Sequence, residues 1–222
     1  MKINIWSDII CPFCTIGKRK LDLALAETGI HADIEWHSFE LNPDAPPSYG
    51  MALPDVLRTL YRMSEADALA MLAHEEAAAR TVDLDFRWRD AKPGNTFNAH
   101  RLLHLAKSAG LGGVAEARFM RAYFSEGQDI GNPAVLRALA REIGLDATAI
   151  DEVLASDLYA ADVRADEQHA AALGIRGVPY FLIDGQIAIA GAQDVAVFSR
   201  VLRERQSAAD DGASCAGGMC SM

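Results

Sequence analysis

Lys2-Ile3-Asn4-Ile5-Trp6-Ser7-Asp8-Ile9-Ile10-Cys11-Pro12-Phe13-Cys14 is the stretch on which the fold turns. Ile3 and Ile5 flank the polar Asn4, and Trp6 follows, which is the period-two pattern of a strand. After Asp8 the pattern changes. From Cys11 to roughly Ala26 the apolar positions, Leu21 and Leu25 among them, recur at helical spacing, and Gly29 is placed to end the helix. A Cys-x-x-Cys pair therefore sits between a strand and a helix.

That position has chemical consequences. Two cysteines two residues apart on a first helical turn bring their sulfurs within bonding range. Cys11 falls where unpaired backbone N–H groups and the helix dipole favour a thiolate. Pro12, at the first helical position, sacrifices no hydrogen bond. Cys14, one turn deeper, is expected to be the more buried, resolving thiol, and Cys11 the exposed one. Phe13 between them brings no charge.

Outward from the motif, Asp33 to Phe39 alternates again as a second strand, and Asn42-Pro43-Asp44-Ala45-Pro46-Pro47 breaks regular structure. From about Leu53 to Arg164 the chain turns Ala- and Leu-rich with charges at helical spacing. Ser64-Glu65-Ala66-Asp67 reads as a capping box opening a helix to about Thr81. Further helices are expected over Thr96 to Ala109, Val114 to Ser125, Asn132-Pro133 to Gly144, and Asp146 to Ala155. Mixed structure then returns: a helix from Asp162 to Leu173, a strand from Tyr180 to Ile183, an Asp184-Gly185 turn, a returning strand to Ala190, and a last helix from Gln193 to about Arg205. Strand–helix–strand followed by helix–strand–strand–helix is the order of an α/β, thioredoxin-like fold split by a large all-helical insertion. The expected division is 1–50 plus 160–206 for the discontinuous thioredoxin-like domain, 51–159 for the insertion, and 207–222 for a flexible tail.

The chain has 222 residues and a net charge of −10, with a pI near 5.0. It shows no basic patch of the kind nucleic-acid binders carry. The run Lys18-Arg19-Lys20 reads as one solvated helix turn. No stretch approaches the ~18 apolar residues of a membrane span. No signal-peptide core precedes the motif, so the expected setting is cytoplasmic. The four cysteines fall into two tight pairs, Cys11/Cys14 and Cys215/Cys220. A secreted disulfide framework would scatter them; tight pairs in a cytosolic protein point to redox or metal chemistry. The Cys11/Cys14 pair could be half of a zinc site completed by Cys215 and Cys220, but the second pair has four intervening residues. The strand before and the helix after favour redox.

Gly177-Val178-Pro179-Tyr180-Phe181 is the second signal. A proline entering a buried strand, with glycine before it and the Asp184-Gly185 turn after, fits a cis-proline turn between Val178 and Pro179.

Three sets of residues carry a family likeness: Asp8-x-x-Cys11-Pro12-x-Cys14-x-x-Gly17-Lys18, Asn95-Thr96-x-x-Ala99-His100-Arg101-Leu102, and Gly174-x-x-Gly177-Val178-Pro179-x-Phe181. In that order, over nearly the whole chain, they resemble the DsbA-family thiol–disulfide oxidoreductases of the FrnE type. The resemblance implies a thioredoxin fold with a helical insertion, Cys11 as nucleophile, Cys14 as its partner and Pro179 as a cis-proline facing them. It implies reversible exchange with protein or peptide thiols and disulfides and with a cellular thiol reductant, and calls for no cofactor, metal, nucleic acid or membrane. In a reducing cytosol, reduction or isomerisation is the expected direction. Two departures stand out. The family often carries an indole where this chain has Phe13, and the Cys-x4-Cys tail occurs only in some members.

Other residues are candidates for assisting roles. Pro12, Phe13 and Val178 border the expected substrate site. Asp8 could assist proton transfers at Cys11 or be an exposed loop acid. His100 resembles a position lining the active-site cleft and could serve catalysis or a structural hydrogen bond. His37 reads as a half-buried strand neighbour. His74-Glu75 begins like a zinc-protease helix, but Ala78 stands where the second histidine belongs. Gly110 to Gly113 follows no strand and is not a phosphate loop. Cys215 and Cys220 could form an auxiliary redox pair exchanging with Cys11/Cys14, since the roughly ten residues after Arg205 could extend ~30 Å. The tail could instead be unstructured or bind a soft metal with Met219 and Met222. The rival readings for the whole chain are a glutathione-dependent transferase or isomerase of the kappa class, which usually has serine at the first motif position, and a non-enzymatic metal-binding protein.

Overall fold

The computed structural model describes residues 1–216, with side chains to residue 208. In chain order the elements are β1 (Lys2–Ser7), α1 (Pro12–Thr28), β2 (Asp33–Ser38), α2 (Leu53–Tyr61), α3 (Glu65–Arg80), α4 (Phe97–Ser108), α5 (Gly112–Phe124), α6 (Pro133–Glu142), α7 (Ala147–Ala155), α8 (Ala160–Ala172), β3 (Tyr180–Ile183), β4 (Ile187–Ala190) and α9 (Val195–Ala216).

The four strands form one sheet in the order β2-β1-β3-β4. β1 and β2 run parallel, joined by the α1 crossover, whereas β3 lies antiparallel to both β1 and β4. The strand alternation sorts the two faces. Ile3 and Ile5 join Phe181, Ile183 and Ile189 beneath Leu21 and Ala24 of α1 and Phe198, Val201 and Leu202 of α9. Trp6 points to the other face, onto Ala170 and Ile175 at the end of α8. The β3–β4 turn has Asp184 and Gly185 at φ 48° and 68°, the left-handed pair a tight hairpin needs.

Helices α2 to α7 lie between β2 and α8. The sequence-read caps hold them: the Ser64 hydroxyl accepts from Asp67 N, Asn132 from Ala134 N, and Asp146 from Ala149 N. Their shared core includes Leu102, Phe119, Tyr123, Leu136, Ile150 and Val153, and it extends into the motif through Ile9, Cys11, Cys14 and Ile16. Arg101 closes the open end of α7. Its guanidinium donates to the carbonyls of Val153, Ser156 and Leu158, groups left without helical partners there.

Two expectations are corrected. Lys18-Arg19-Lys20 is not merely a solvated turn: Lys18 binds Asp22, Arg19 donates to Val82 O at 3.3 Å, and Lys20 binds Ala192 O and Asp194. These contacts tie α1 to the insertion on one side and to the start of α9 on the other. The last helix does not end near Arg205 but continues to Ala216, because Gln206-Ser207-Ala208-Ala209 brings neither glycine nor proline. Among the described residues no helix is long and apolar enough to cross a membrane.

Candidate active site

The end of β1, the start of α1 and the loop before β3 converge. Cys11 is the N-cap of α1, with extended backbone, and Pro12 occupies the first turn. Cys11 and Cys14 are both free thiols. The Val178–Pro179 peptide is cis, and Cys11 Sγ lies 3.6 Å from Val178 O. Gly17, one turn beyond Cys14, lets α1 approach this loop: a Cβ there would stand 3.0 Å from Pro179 Cγ and 3.1 Å from Phe181 Cζ.

Cys11 is not the exposed thiol that its helix-start position suggests. It is 4% exposed and Cys14 2%. The insertion core closes over the motif, and the Val178 carbonyl closes over the sulfur. Phe13 is half-buried, its ring 6.5 Å from that of His74 on α3. The thiols therefore differ less in exposure than in environment. Burial, then the neighbouring Cys11 sulfur, push the Cys14 thiol well above the ordinary thiol range. The Asp8 backbone N–H and the Ser7 hydroxyl face Cys14 and partly offset this.

Asp8 is fully buried rather than an exposed loop acid. Its Oδ2 accepts from Leu41 N at 2.8 Å, and its Oδ1 lies 3.3 Å from His100 Nε2. Its main-chain N–H turns to Cys14. His100 is 1% exposed, with Nδ1 buried and unpartnered. Burial opposes its protonation, but the Asp8 hydrogen bond and the charges of Asp8, Glu116 and Glu40 outweigh that and raise its pKa. His100 thus forms the centre of a buried acidic cluster behind the motif.

Two members of that cluster escaped the sequence reading. Glu116 of α5 is 2% exposed and accepts from the Ser7 hydroxyl at 2.8 Å; burial pushes its carboxyl up to about 7. Glu40, just after β2, is buried against Arg164 and Asn95. A signal existed for Glu116, which shares a helical face with Phe119, Met120 and Tyr123, three, four and seven residues on, where an apolar residue belongs.

His37 is part of a separate group. It stacks on Trp6 at 4.5 Å and bonds Asp166 Oδ1 at 2.7 Å, while His104 and Ser38 N bind Oδ2 of the same carboxylate. This group ties β2, α4 and α8 together. No group of three or more His, Cys, Asp or Glu side chains among the described residues is placed so that it could hold a metal ion.

The proposed Cys215/Cys220 pairing lies outside the described residues. What can be seen is the course of α9. Asp194 meets Lys20, Ser199 and Arg203 meet Glu27, and Arg205 meets Asp184. The helix therefore runs in the same sense as α1, away from Cys11.

The model of the DSBA-like thioredoxin domain family matches residues 2–203. An uncharacterized protein of Bacillus subtilis (strain 168), YwbO, is 28% identical over 206 residues, 92% of this chain and 96% of that protein. The crystal structure of a probable DsbA oxidoreductase from Streptomyces coelicolor is similar with a TM-score of 0.88 at 37% identity, over 93% of this chain and 90% of that one. The cytosolic disulfide reductase DsbM from Pseudomonas aeruginosa shares the fold, with a TM-score of 0.65 at 22% identity over 93% of this chain and 99% of its own.

Proposed function

The chain belongs to the DSBA-like thioredoxin domain family, and from that membership we propose that it is a cytoplasmic thiol–disulfide oxidoreductase that reduces or isomerises protein disulfides with Cys11 and Cys14. The observation that carries the reading is the pair of free thiols at the start of α1, with Cys11 Sγ 3.6 Å from Val178 O beside the cis-proline Pro179.

In this reading Cys11, as thiolate at the helix N-terminus, attacks a substrate disulfide in line and expels one substrate thiolate. The product is a mixed disulfide between Cys11 and the substrate. Cys14 then attacks Cys11 Sγ, releases the second substrate thiolate and leaves the Cys11–Cys14 disulfide. Two electrons pass to the substrate. A cellular thiol reductant returns the pair to the dithiol, and a substrate dithiol drives the same steps backwards. The Val178 carbonyl and neighbouring main chain offer an extended peptide a short strand-like contact beside the sulfur. Pro12 and Phe13 flank the approach.

Insulin disulfides serve as the test substrate. The wild-type protein, with a thiol reductant, reduces them in catalytic turnover. Cys11→Ser abolishes turnover, and Cys14→Ser accumulates mixed disulfides detectable by mass. A Cys11→Ser variant that still turns over removes the reading. The kappa-class rival is tested in parallel by glutathione binding without dithiol turnover.

A further inference from the structure

The facing sides of α1 and α5 do not close on each other. Pro12, Thr15, Ile16 and Arg19 of α1 and Gly113, Ala117, Met120 and Phe124 of α5, each set at helical spacing, wall a cavity of about 910 Å³. Gly113 and Ala117 stand where bulky side chains would fill the gap, and Leu84, Phe86 and Ile143 extend the apolar lining. The cavity has the size and the largely apolar wall of a small-molecule site. Of the Cys-Pro-Phe-Cys motif only Pro12 borders it, and the cis-proline loop does not. That loop lies on another flank of α1, where Gly17 packs on Pro179 and Lys20 binds Ala192 O.

Four cations line the cavity, Lys18, Arg19, Arg118 and Arg121. Three are engaged: Lys18 pairs with Asp22, Arg118 with Glu126 and Glu142, and Arg121 with Glu126. Arg19 has no ion pair among the described residues. Its Nε donates to Val82 O at 3.3 Å, which anchors the guanidinium and leaves its two Nη groups without a protein partner. That edge is a fork able to take one carboxylate through two parallel hydrogen bonds. The acids in the wall limit the charge a ligand can bring. Asp22 and Asp85 are held by Lys18 and Arg87, and Glu116 accepts from the Ser7 hydroxyl, but Asp83 is exposed and unpaired among the described residues. One carboxylate on the Arg19 fork suits this surround, whereas a dianionic phosphate ester would meet too little positive charge.

We propose that the cleft between α1 and α5 binds a monoanionic amphiphile of the fatty-acid class, with its carboxylate on Arg19 and its chain along Ile16, Phe86, Met120 and Phe124. The α1 wall runs from Pro12 to Asp22, about 15 Å of helix, a length that suits an extended chain better than a compact ring system. Little in the apolar stretch demands a polar ligand. The Thr15 hydroxyl already donates to Met120 Sδ at 3.2 Å, and the unbranched Met120 side chain adapts to the shape beside it. A bound chain fills the gap between α1 and the helical insertion and leaves Cys11 open to substrate. The site goes beyond the thiol–disulfide reading and does not depend on it.

Decanoate is the probe and 1-decanol its uncharged counterpart. Titration calorimetry on the whole protein should show saturable decanoate binding, about tenfold or more tighter than 1-decanol. Arg19→Gln should bring the two affinities within about twofold of each other. Ala117→Phe, at an exposed position of α5 whose new ring fills the cleft, should abolish binding of both. A nitrobenzoate disulfide reagent reports on the thiols, because attack by Cys11 releases one coloured thiolate and resolution by Cys14 releases the second. Saturating decanoate should leave the first phase within about twofold of its rate without ligand. The proposal is overturned by absence of saturable binding, by equal affinity for decanoate and 1-decanol, by unchanged binding in Ala117→Phe, or by a first phase that decanoate blocks. If decanoate binds as expected and neither reagent phase occurs, the dithiol reading falls and the site stands. If Arg19→Gln fails to fold, as circular dichroism would report, the wild-type comparison of the two probes and Ala117→Phe decide.

Discussion

Gly17→Ala pits two opposite effects of known size against each other. Inside α1, replacing glycine by alanine should stabilise the helix by about 1 kcal/mol. The new methyl, however, meets Pro179 Cγ at 3.0 Å, Phe181 Cζ at 3.1 Å and the Ala192 backbone at 3.4 Å, where carbon contacts prefer about 3.5–4.0 Å. None of these neighbours yields easily. The Pro179 ring is rigid, and the Phe181 side chain is fully buried edge-on against Phe198, with ring centroids 5.0 Å apart. Overpacking of this kind costs about 1–3 kcal/mol. The net effect should be a loss of about 1 kcal/mol, which lowers the melting temperature of a chain this size by about 2–4 °C. The strain falls on the loop carrying Val178, so the 3.6 Å approach of Cys11 Sγ to Val178 O should open and the first exchange phase slow by roughly tenfold. Gly113→Ala is the control. Its Cβ meets only Trp36 Nε1, at an ordinary 3.6 Å, so it should be neutral or stabilising. Thermal unfolding and reagent-release kinetics of both variants check the argument. If Gly17→Ala melts as high as Gly113→Ala and exchanges at the wild-type rate, α1 is not pressed against the cis-proline loop.

Three further outcomes are expected. Alkylation of the reduced protein should label Cys11 before Cys14, because burial and the adjacent sulfur keep Cys14 protonated; peptide mapping over a time course reads the order, and equal labelling would contradict it. For Asp166, burial alone would raise the carboxyl, but hydrogen bonds from His104, His37 and Ser38 N hold it well below the usual carboxylate range. Its stabilisation is therefore complete above the unfolded value of about 3.9 and lost as pH falls towards the lower folded value. Asp166→Asn should flatten this acid limb in urea midpoints taken between about pH 3 and 7, and a variant with the wild-type limb would show that the carboxylate is not the anchor. Arg101→Ala should destabilise by about 2–4 kcal/mol by leaving the carbonyls of Val153, Ser156 and Leu158 without a donor; hydrogen exchange over α7 should rise with it, and unchanged protection there would refute the capping role.

The sequence was most legible where local chemistry decides structure. The alternation of Ile3, Asn4 and Ile5 marked β1, Ser64, Asn132 and Asp146 marked helix starts, and Asp184-Gly185 marked the hairpin. Each acts through neighbours a few residues away, and each occurs in the structure as read. What stayed hidden depends on distant contacts. Cys11 looked exposed because a helix start usually is; its burial comes from an insertion core more than 80 residues further on, at Leu102, Phe119 and Tyr123. Asp8 looked like a loop acid until Leu41 N and His100 were seen to enclose it. Glu116 interrupts the apolar face of α5 in the sequence, but its partner, the Ser7 hydroxyl of β1, comes from 109 residues away. The group around Asp166 joins three elements that the sequence holds far apart.

The strand order carries a consequence for how the molecule is made. β1 lies in the interior of the sheet, yet one of its two neighbours is β3, whose Ile183 pairs with Ile3 across almost the entire chain. At about 5–20 residues per second, synthesis leaves that side of β1 open for roughly 10–40 s. During that interval the nascent chain carries both motif thiols with no Val178 carbonyl to cover Cys11 and no completed sheet beneath them. Closure across so long a loop is entropically slow. The step that finishes the domain, the docking of the β3–β4 hairpin, is thus also the step that brings the Val178 carbonyl over Cys11.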